Sequence, residues 1–140
     1  MAIQKYGPKA AHAQMQAGPH LFLDVRTVEE FNAGHPAGSI NVPIAFRDAD
    51  SGQMAPNPDF AATVQQRAQP GTKIFASCQA GMRSMAACKA LEQAGFTDLT
   101  NVEGGFGGRR GVPGMPDVAG WRDSGLPVET TPSTFGKAKA

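Results

Sequence analysis

Short apolar runs alternate with helix-like stretches along the chain, and this alternation constrains the fold more than any other feature. The run Leu21–Val25 is apolar on both faces apart from Asp24, as expected of a strand buried between two layers of helices. Further strands are predicted at Ser39–Val42, Lys73–Ala76 and Leu99–Val102. We therefore expect an α/β fold with a central, mostly parallel β-sheet of about five short strands, flanked by helices on both faces.

Capping and turn residues place helices between these strands. Thr27, with Glu30 three residues on, forms a capping box for a short helix that ends at Gly34. Ala45–Pro58 and Phe106–Ala119 show little periodicity and are predicted to be loops. The other predicted helical segments are Gly7–Gln16, Pro58–Ala68, Ser84–Ala94 and a last turn or two over Gly120–Gly125.

Length and composition favour a single domain. The chain has 140 residues, 41% of them hydrophobic, and we expect one domain over residues 1–128 with a flexible tail over 129–140. A net charge of +1 gives no reason to expect nucleic acid or a membrane as partner. Two cysteines ten residues apart, without a CxxC pair or a His cluster, indicate neither disulfides nor a metal site, so a cytoplasmic location is expected.

Cys78 is the main candidate for a reactive group because it lies at the junction of a buried strand and a helix. In parallel sheets, active sites form beyond the carboxyl ends of the strands. A helix starting at Ser84 directs its unpaired N–H groups and its positive dipole end towards the preceding loop. This arrangement favours a thiolate over a thiol and an anionic substrate beside it.

The loop that follows Cys78 is predicted to bind an anion. No Asp or Glu occurs between Phe60 and Leu91, although four basic residues do. Arg83 is five residues after Cys78, so backbone N–H groups could form a nest, with Gly81 allowing a positive φ and Arg83 closing the rim. The predicted substrate-binding residues are Gln79, Ala80, Gly81, Met82, Arg83 and Ser84.

Cys88 is interpreted differently. A lone cysteine after a strand is more often a buried small hydrophobe than a nucleophile. For Cys78, the residues around it favour the functional role. Cys88 shares the apolar stripe of its helix with Met85 and Leu91. We therefore expect Cys88 to be a core residue.

These residues resemble the rhodanese-like (thiosulfate sulfurtransferase-like) family, as a single-domain member. The resemblance covers residues 21–128, departs from the family at His35–Gly38, and includes an insertion at about 106–120 that could line the pocket or meet a partner. The matching segments, in chain order, are Leu23–Arg26, Glu29–Phe31, Gly34–Pro43, Cys78–Ser84 with its Cys-x-x-Gly-x-Arg pattern, Val102–Gly105, Trp121 and Gly125–Val128.

The resemblance implies a sulfurtransferase that carries sulfur as a persulfide on Cys78, without a cofactor or metal. The donor would be a small anion such as thiosulfate, with Arg83 stabilising the leaving sulfite. The acceptor would be cyanide in assays and a thiol in cells, including an unidentified protein acceptor.

Other polar residues of the resemblance are expected to support the site rather than react. Arg26 is predicted to pair with Glu30, and Asp24 to support the backbone near the strand end. His35 is predicted to be a turn and core histidine. Arg47 is a weaker candidate, for a second anion contact.

Two other function classes remain open. Cysteine-dependent phosphatases and arsenate reductases include members with the same fold, but their loops place the arginine six residues after the cysteine, to hold a larger anion. A non-catalytic rhodanese module used for binding commonly lacks the loop cysteine, whereas this chain retains both Cys78 and Arg83.

Overall fold

The computed structural model describes residues 3–48 and 50–135 of the chain. The strands are β1 (Gln4–Tyr6), β2 (Leu21–Asp24), β3 (His35–Pro36), β4 (Ile40–Asn41), β5 (Ala45–Arg47), β6 (Met54–Pro56), β7 (Ile74–Ser77), β8 (Leu99–Val102) and β9 (Val128–Glu129). The helices are α1 (Pro8–Met15), α2 (Val28–Ala33), α3 (Phe60–Gln65), α4 (Met82–Gln93) and a 3₁₀ turn at Arg122–Ser124.

The main sheet has five strands in the order β1-β8-β7-β2-β4, and every neighbouring pair is parallel. The α/β prediction with about five parallel strands is therefore confirmed. Asp24 at the end of β2 is in register with Ser77 at the end of β7. The carboxyl ends of the central strands consequently meet at one edge, where the chain enters the Cys78–Arg83 loop.

Alternate residues of the central strands enter two separate cores, one on each face of the sheet. In β7, Ile74 and Ala76 contact the side of α3 and α4, whereas Phe75 contacts the side of α1 and Trp121. All three β7 residues are fully buried. A strand covered on both faces must be apolar at consecutive positions, which is why this run is so distinct in the sequence.

Several structured segments escaped the sequence analysis, including the short antiparallel pair of β3 with β9. The edge strand β1 consists of Gln4, Lys5 and Tyr6 and carries no apolar run. The hairpin of β5 and β6 lies within a predicted loop and is mostly exposed, so it lacks a hydrophobic pattern. Helix α4 also begins at Met82, two residues before the predicted start at Ser84, because Gly81 takes up a left-handed conformation (φ 103°) directly before it.

The C-terminal segment, expected to be flexible, lies against the domain as far as the structure describes it. The Ser133 side chain is buried, its residue being 3% exposed, and its Oγ donates a hydrogen bond to Asn41 Oδ1 at 2.7 Å. The Ser133 N–H donates to Asn32 Oδ1 at 2.7 Å. Residues 136–140 of the predicted tail lie outside the described residues.

No helix in the described part of the chain combines the length and apolarity that crossing a membrane requires.

Glycines after β8 let the chain pass directly beneath the Cys78 loop. The Phe106 N–H donates to the Cys78 carbonyl at 2.7 Å, and the Gly107 N–H donates to the Gln79 carbonyl at 2.9 Å. Gly105 has a φ of 54°, and a Cβ there would lie 2.2 Å from the Cys78 carbonyl oxygen. Only glycine allows two backbone segments to approach this closely.

Gly105→Ala is expected to lower the free energy of unfolding by about 2 kcal/mol or more, because a backbone clash adds to the cost of a positive φ. Gly125→Ala is the matched control, since Gly125 has a φ of 75° but open space around its Cβ position. Chemical denaturation of both variants gives the comparison. Equal losses of stability in the two variants would show that the close approach to Cys78 has no energetic importance.

Candidate active site

The Cys78 side chain lies at the base of the loop, directly after β7. The residue is 1% exposed. The Gly81 N–H donates a hydrogen bond to Cys78 Sγ at 3.1 Å. Because α4 begins at the next residue, its positive dipole end adjoins the sulfur. The predicted positive φ at Gly81 is therefore present, and one N–H of the predicted nest, that of Gly81, meets the sulfur.

A polar network that includes Asn101 holds the other side of the sulfur. Ser84 Oγ lies 3.3 Å from Cys78 Sγ and donates a hydrogen bond to Asn101 Oδ1. The Asn101 Nδ2 group donates to the Gly81 carbonyl at 3.2 Å. Asn101 was absent from the residues predicted from the sequence. The available signal was its place near the end of β8, the strand beside β7.

Arg83 is fixed by Glu30 through two hydrogen bonds. Its Nη1 donates to Oε1 at 2.7 Å, and its Nη2 donates to Oε2 at 3.0 Å. Burial by itself would raise the pKa of Glu30, but the bonds from Arg83 and Thr27 and the charge of Arg83 outweigh it and lower that pKa to about 2. Glu30 is therefore ionised throughout the neutral range and keeps Arg83 beside the loop.

The predicted pairing of Arg26 with Glu30 is wrong. Arg26 instead donates to Asp24 Oδ2 through Nη2 at 2.8 Å and to the Gly34 carbonyl at 2.7 Å. Arg26 precedes the N-cap residue Thr27, so its side chain turns back towards the strand end instead of following the helix face. The capping box holds Glu30 on the Thr27 N–H, where Arg83 reaches it.

Asp24 and Arg26 together connect the end of β2 to the loop. Asp24 Oδ1 accepts hydrogen bonds from the Arg26 N–H and from Arg26 Nε, both at 3.0 Å. Arg26 Nη1 donates to Gln79 Oε1 at 3.2 Å, and its guanidinium carbon lies 4.6 Å from the centre of the Phe106 ring. The backbone support predicted for Asp24 is present, and Arg26 adds a direct contact to the loop.

The remaining predicted residues differ in how close they lie to the Cys78 loop. His35 is buried, stacks on Phe31 and forms a hydrogen bond with the Phe31 carbonyl through Nδ1 at 2.9 Å, as expected of a core histidine. Arg47 lies on the exposed strand β5, and within residues 3–48 and 50–135 no hydrogen bond or ion pair joins it to the loop. Met82 is 62% exposed at the loop rim, and Ala80 is partly buried beside it.

Cys88 lies in the core, one helical turn beyond Ser84, as the apolar stripe predicts. Burial, together with the nearby charges of Cys78 and Glu92, raises the pKa of Cys88 to about 12. Its thiol is consequently neutral at physiological pH. In the part of the chain that the structure describes, no group of three or more His, Cys, Asp or Glu side chains is placed to hold a metal ion.

The inserted segment, whose role the sequence left open, lines a pocket beside the loop. Arg109 and Val118 pair as an isolated antiparallel bridge that closes the segment. The backbone N–H of Trp121 then donates to the Gly105 carbonyl at 2.8 Å, so the end of the segment is bonded to the rest of the domain. Arg109 and Met115 of this segment share the pocket with Gly81.

Known proteins resemble this chain in both sequence and fold. A relative from Arabidopsis thaliana, Thiosulfate sulfurtransferase 16, chloroplastic, is 39% identical over 119 residues, which cover 85% of this chain and 87% of that protein. Senescence-associated protein DIN1 of Raphanus sativus is also 39% identical, over 86% of this chain, but the match spans 58% of the length of that protein.

A solved structure and a protein-family model also match this chain. The crystal structure of Rv0390 from M. tuberculosis has a TM-score of 0.75 and 26% sequence identity, covering 93% of this chain and 99% of that one. Residues 7–108 match the family described as the Rhodanese-like domain. With its sheet, its loop and its relatives in agreement, the chain belongs to the rhodanese-like domain family.

Proposed function

We propose that the protein is a sulfurtransferase that moves a sulfane sulfur from an anionic donor to a thiophilic acceptor through a persulfide on Cys78. The observation that carries this proposal is the surroundings of Cys78 Sγ. The Gly81 N–H donates to the sulfur, Ser84 Oγ lies 3.3 Å away, and the α4 dipole adjoins it. The names of two relatives, Thiosulfate sulfurtransferase 16 and 18, give support from the family.

In the first step, the Cys78 thiolate attacks the outer sulfur of a donor such as thiosulfate. A bond forms between Sγ and that sulfur, the S–S bond of thiosulfate breaks, and sulfite leaves with the bonding electron pair. The total charge stays the same on both sides, so the step needs no external oxidant or reductant. Since Cys78 is 1% exposed, the side chains around the loop must move apart to admit the donor.

In the second step, a nucleophile removes the outer sulfur and regenerates the thiolate. Cyanide would take it as thiocyanate, and a thiolate would take it as a new persulfide. The S–S bond of the Cys78 persulfide breaks as the acceptor's bond to sulfur forms, and the electron pair returns to Sγ. The Gly81 N–H stabilises negative charge at Sγ at this point.

Arg83 is proposed to hold the anionic part of the donor and the leaving sulfite. Its Nη1 and Nη2 atoms are bound to Glu30, whereas the described residues provide no partner for its Nε. Hydrogen bonding to the Glu30 carboxylate raises the pKa of Arg83, so the guanidinium remains charged. Glu30 therefore orients a permanent cation beside the loop.

The length of the loop argues for a sulfur anion over a phosphate. Arg83 is five positions after Cys78, and the Gly81 N–H is already bonded to the sulfur, so the loop is short and closes tightly around one atom. An assay with thiosulfate, 3-mercaptopyruvate and a small aryl phosphate in parallel separates the two reactions. Turnover of the aryl phosphate alone would replace the proposal with a phosphatase.

Incubation with thiosulfate should add one sulfur atom, about 32 Da, to the wild-type protein and to Cys88→Ala, but not to Cys78→Ser, since only one thiol is the nucleophile. Intact-protein mass spectrometry measures the adduct. Cys88→Ala is the matched control because the Cys88 thiol is buried and stays neutral, with its pKa raised to about 12. An adduct that survives in Cys78→Ser would contradict the assignment.

Arg83→Gln should lower kcat/KM for thiosulfate about a hundredfold, because the cation facing the donor and the leaving sulfite is lost. Steady-state assays with cyanide as acceptor measure the change. Arg67→Gln removes an exposed positive charge from the same acid-free stretch and serves as the control. Equal effects in the two variants would reduce the role of Arg83 to a general contribution to charge.

A further inference from the structure

A pocket of about 320 Å³ lies beside the Cys78 loop, between α4 and the inserted segment. Its volume is within the range of sites that hold small organic molecules. Gly81 forms part of its wall, and the N–H of the same residue donates to Cys78 Sγ. The side chains that matter here are Lys5, Met82, Met85, Lys89, Arg109 and Met115.

Arg109 supplies a buried cation in which one guanidinium nitrogen, Nη1, has no hydrogen-bond acceptor among the described residues. Its side chain is 4% exposed. Its Nε and Nη2 atoms donate to the Pro116 carbonyl at 3.2 Å, and Nη2 also donates to Glu103 Oε2 at 3.2 Å. No acceptor for Nη1 exists among the described residues, and Nη1 lies 3.8 Å from where a Cβ on Gly81 would be. Among the described residues, Thr100 Oγ1 is the one fully enclosed side-chain polar atom without a partner, so Nη1 keeps some accessible surface and can meet a ligand beside Gly81.

The charge around the pocket favours an anion. Lys5 and Lys89 form no ion pair within the described part of the chain, whereas Glu103, the only acid in the wall, is already paired with Arg109. The wall thus carries three positive charges and one negative charge. A carboxylate on a ligand would accept a charge-assisted hydrogen bond from the free Nη1 of Arg109.

The rest of the wall suits a short carbon chain that carries sulfur. Met82, Met85 and Met115 contribute flexible, polarisable thioethers to the pocket. A simple inorganic anion would make no use of this apolar surface. An organic anion would bury its carbon atoms against the methionines and place its carboxylate on the cations.

We propose that this pocket binds the sulfur acceptor as a small carboxylate-bearing thiol, with Arg109 recognising a carboxylate. The proposal rests on the persulfide function of Cys78. The acceptor thiolate attacks the outer sulfur of the protonated persulfide and forms a new S–S bond. The bond to Sγ breaks, the electron pair stays on Cys78, and the proton leaves with the new persulfide, so no oxidant or reductant is needed.

The test compares two acceptors with the persulfide-loaded protein. Mercaptosuccinate carries two carboxylates, whereas 2-mercaptoethanol carries none. Arg109→Gln should raise the KM for mercaptosuccinate about tenfold or more, because a charge-assisted hydrogen bond is lost, and should leave 2-mercaptoethanol unaffected. Equal changes for both acceptors, or no change for either, would overturn the proposal.

Surface variants keep the test decisive if Arg109→Gln fails to fold. Lys89→Gln, at an exposed position of the pocket wall, should raise the KM for mercaptosuccinate several-fold. Lys9→Gln removes an exposed charge of α1 outside this pocket and should have no effect. Identical behaviour of these two variants would show a general effect of charge and would also overturn the proposal.

A binding measurement separates failure of the pocket from failure of the proposed function. (Methylthio)succinate has the carboxylates and the sulfur of the acceptor but no thiol. Isothermal titration should show that it binds to Cys78→Ser as it does to the wild type, and that binding is weaker in Lys89→Gln. Absence of binding would overturn the pocket assignment even if sulfur transfer is confirmed, whereas binding without any persulfide would contradict the function alone.

Discussion

The backbone hydrogen bonds on both sides of the end of β7 are the constraint on which the site depends. The Val25 N–H donates to the Ser77 carbonyl at 2.8 Å from one neighbouring segment, and the Phe106 N–H donates to the Cys78 carbonyl at 2.7 Å from the other. The loop therefore starts from a point fixed on two sides. Precise placement of a nucleophile requires such a rigid support, since small displacements of reacting atoms are costly.

One ion pair and one hydrogen bond connect the β2–α2 segment to the loop. Arg83 forms a half-buried ion pair with Glu30, and Arg26, held by a buried ion pair with Asp24, donates to Gln79 Oε1. Buried pairs define geometry more reliably than they add stability, because desolvation offsets much of their attraction. The short helix α2 thus acts mainly as a support for the arginine of the loop.

The fold and the centre of the site could be predicted from the sequence because both depend on local patterns. Consecutive apolar residues marked the strands, and the spacing from Cys78 to Arg83 marked the loop. The Arg26–Glu30 pairing failed because i,i+4 proximity applies only when both residues lie within one helix, and α2 begins at Val28, after Arg26 and the N-cap residue Thr27. Asn101 was missed because its hydrogen bond to the Gly81 carbonyl joins residues that are distant in sequence, and Arg109 because the pocket it shares with Gly81 does so too.

The packing of Ser133 has a consequence for how separate molecules behave towards one another. β4 is the last strand of the main sheet and has a neighbour on one side only. The segment around Ser133 runs beside it and is bonded to the Asn41 side chain, which in turn donates to the carbonyls of Asp24 and Arg26. An uncovered strand at this position would offer its backbone groups to another chain. The C-terminal segment therefore occupies space beside β4 that a strand from another chain would need in order to pair at this edge of the sheet.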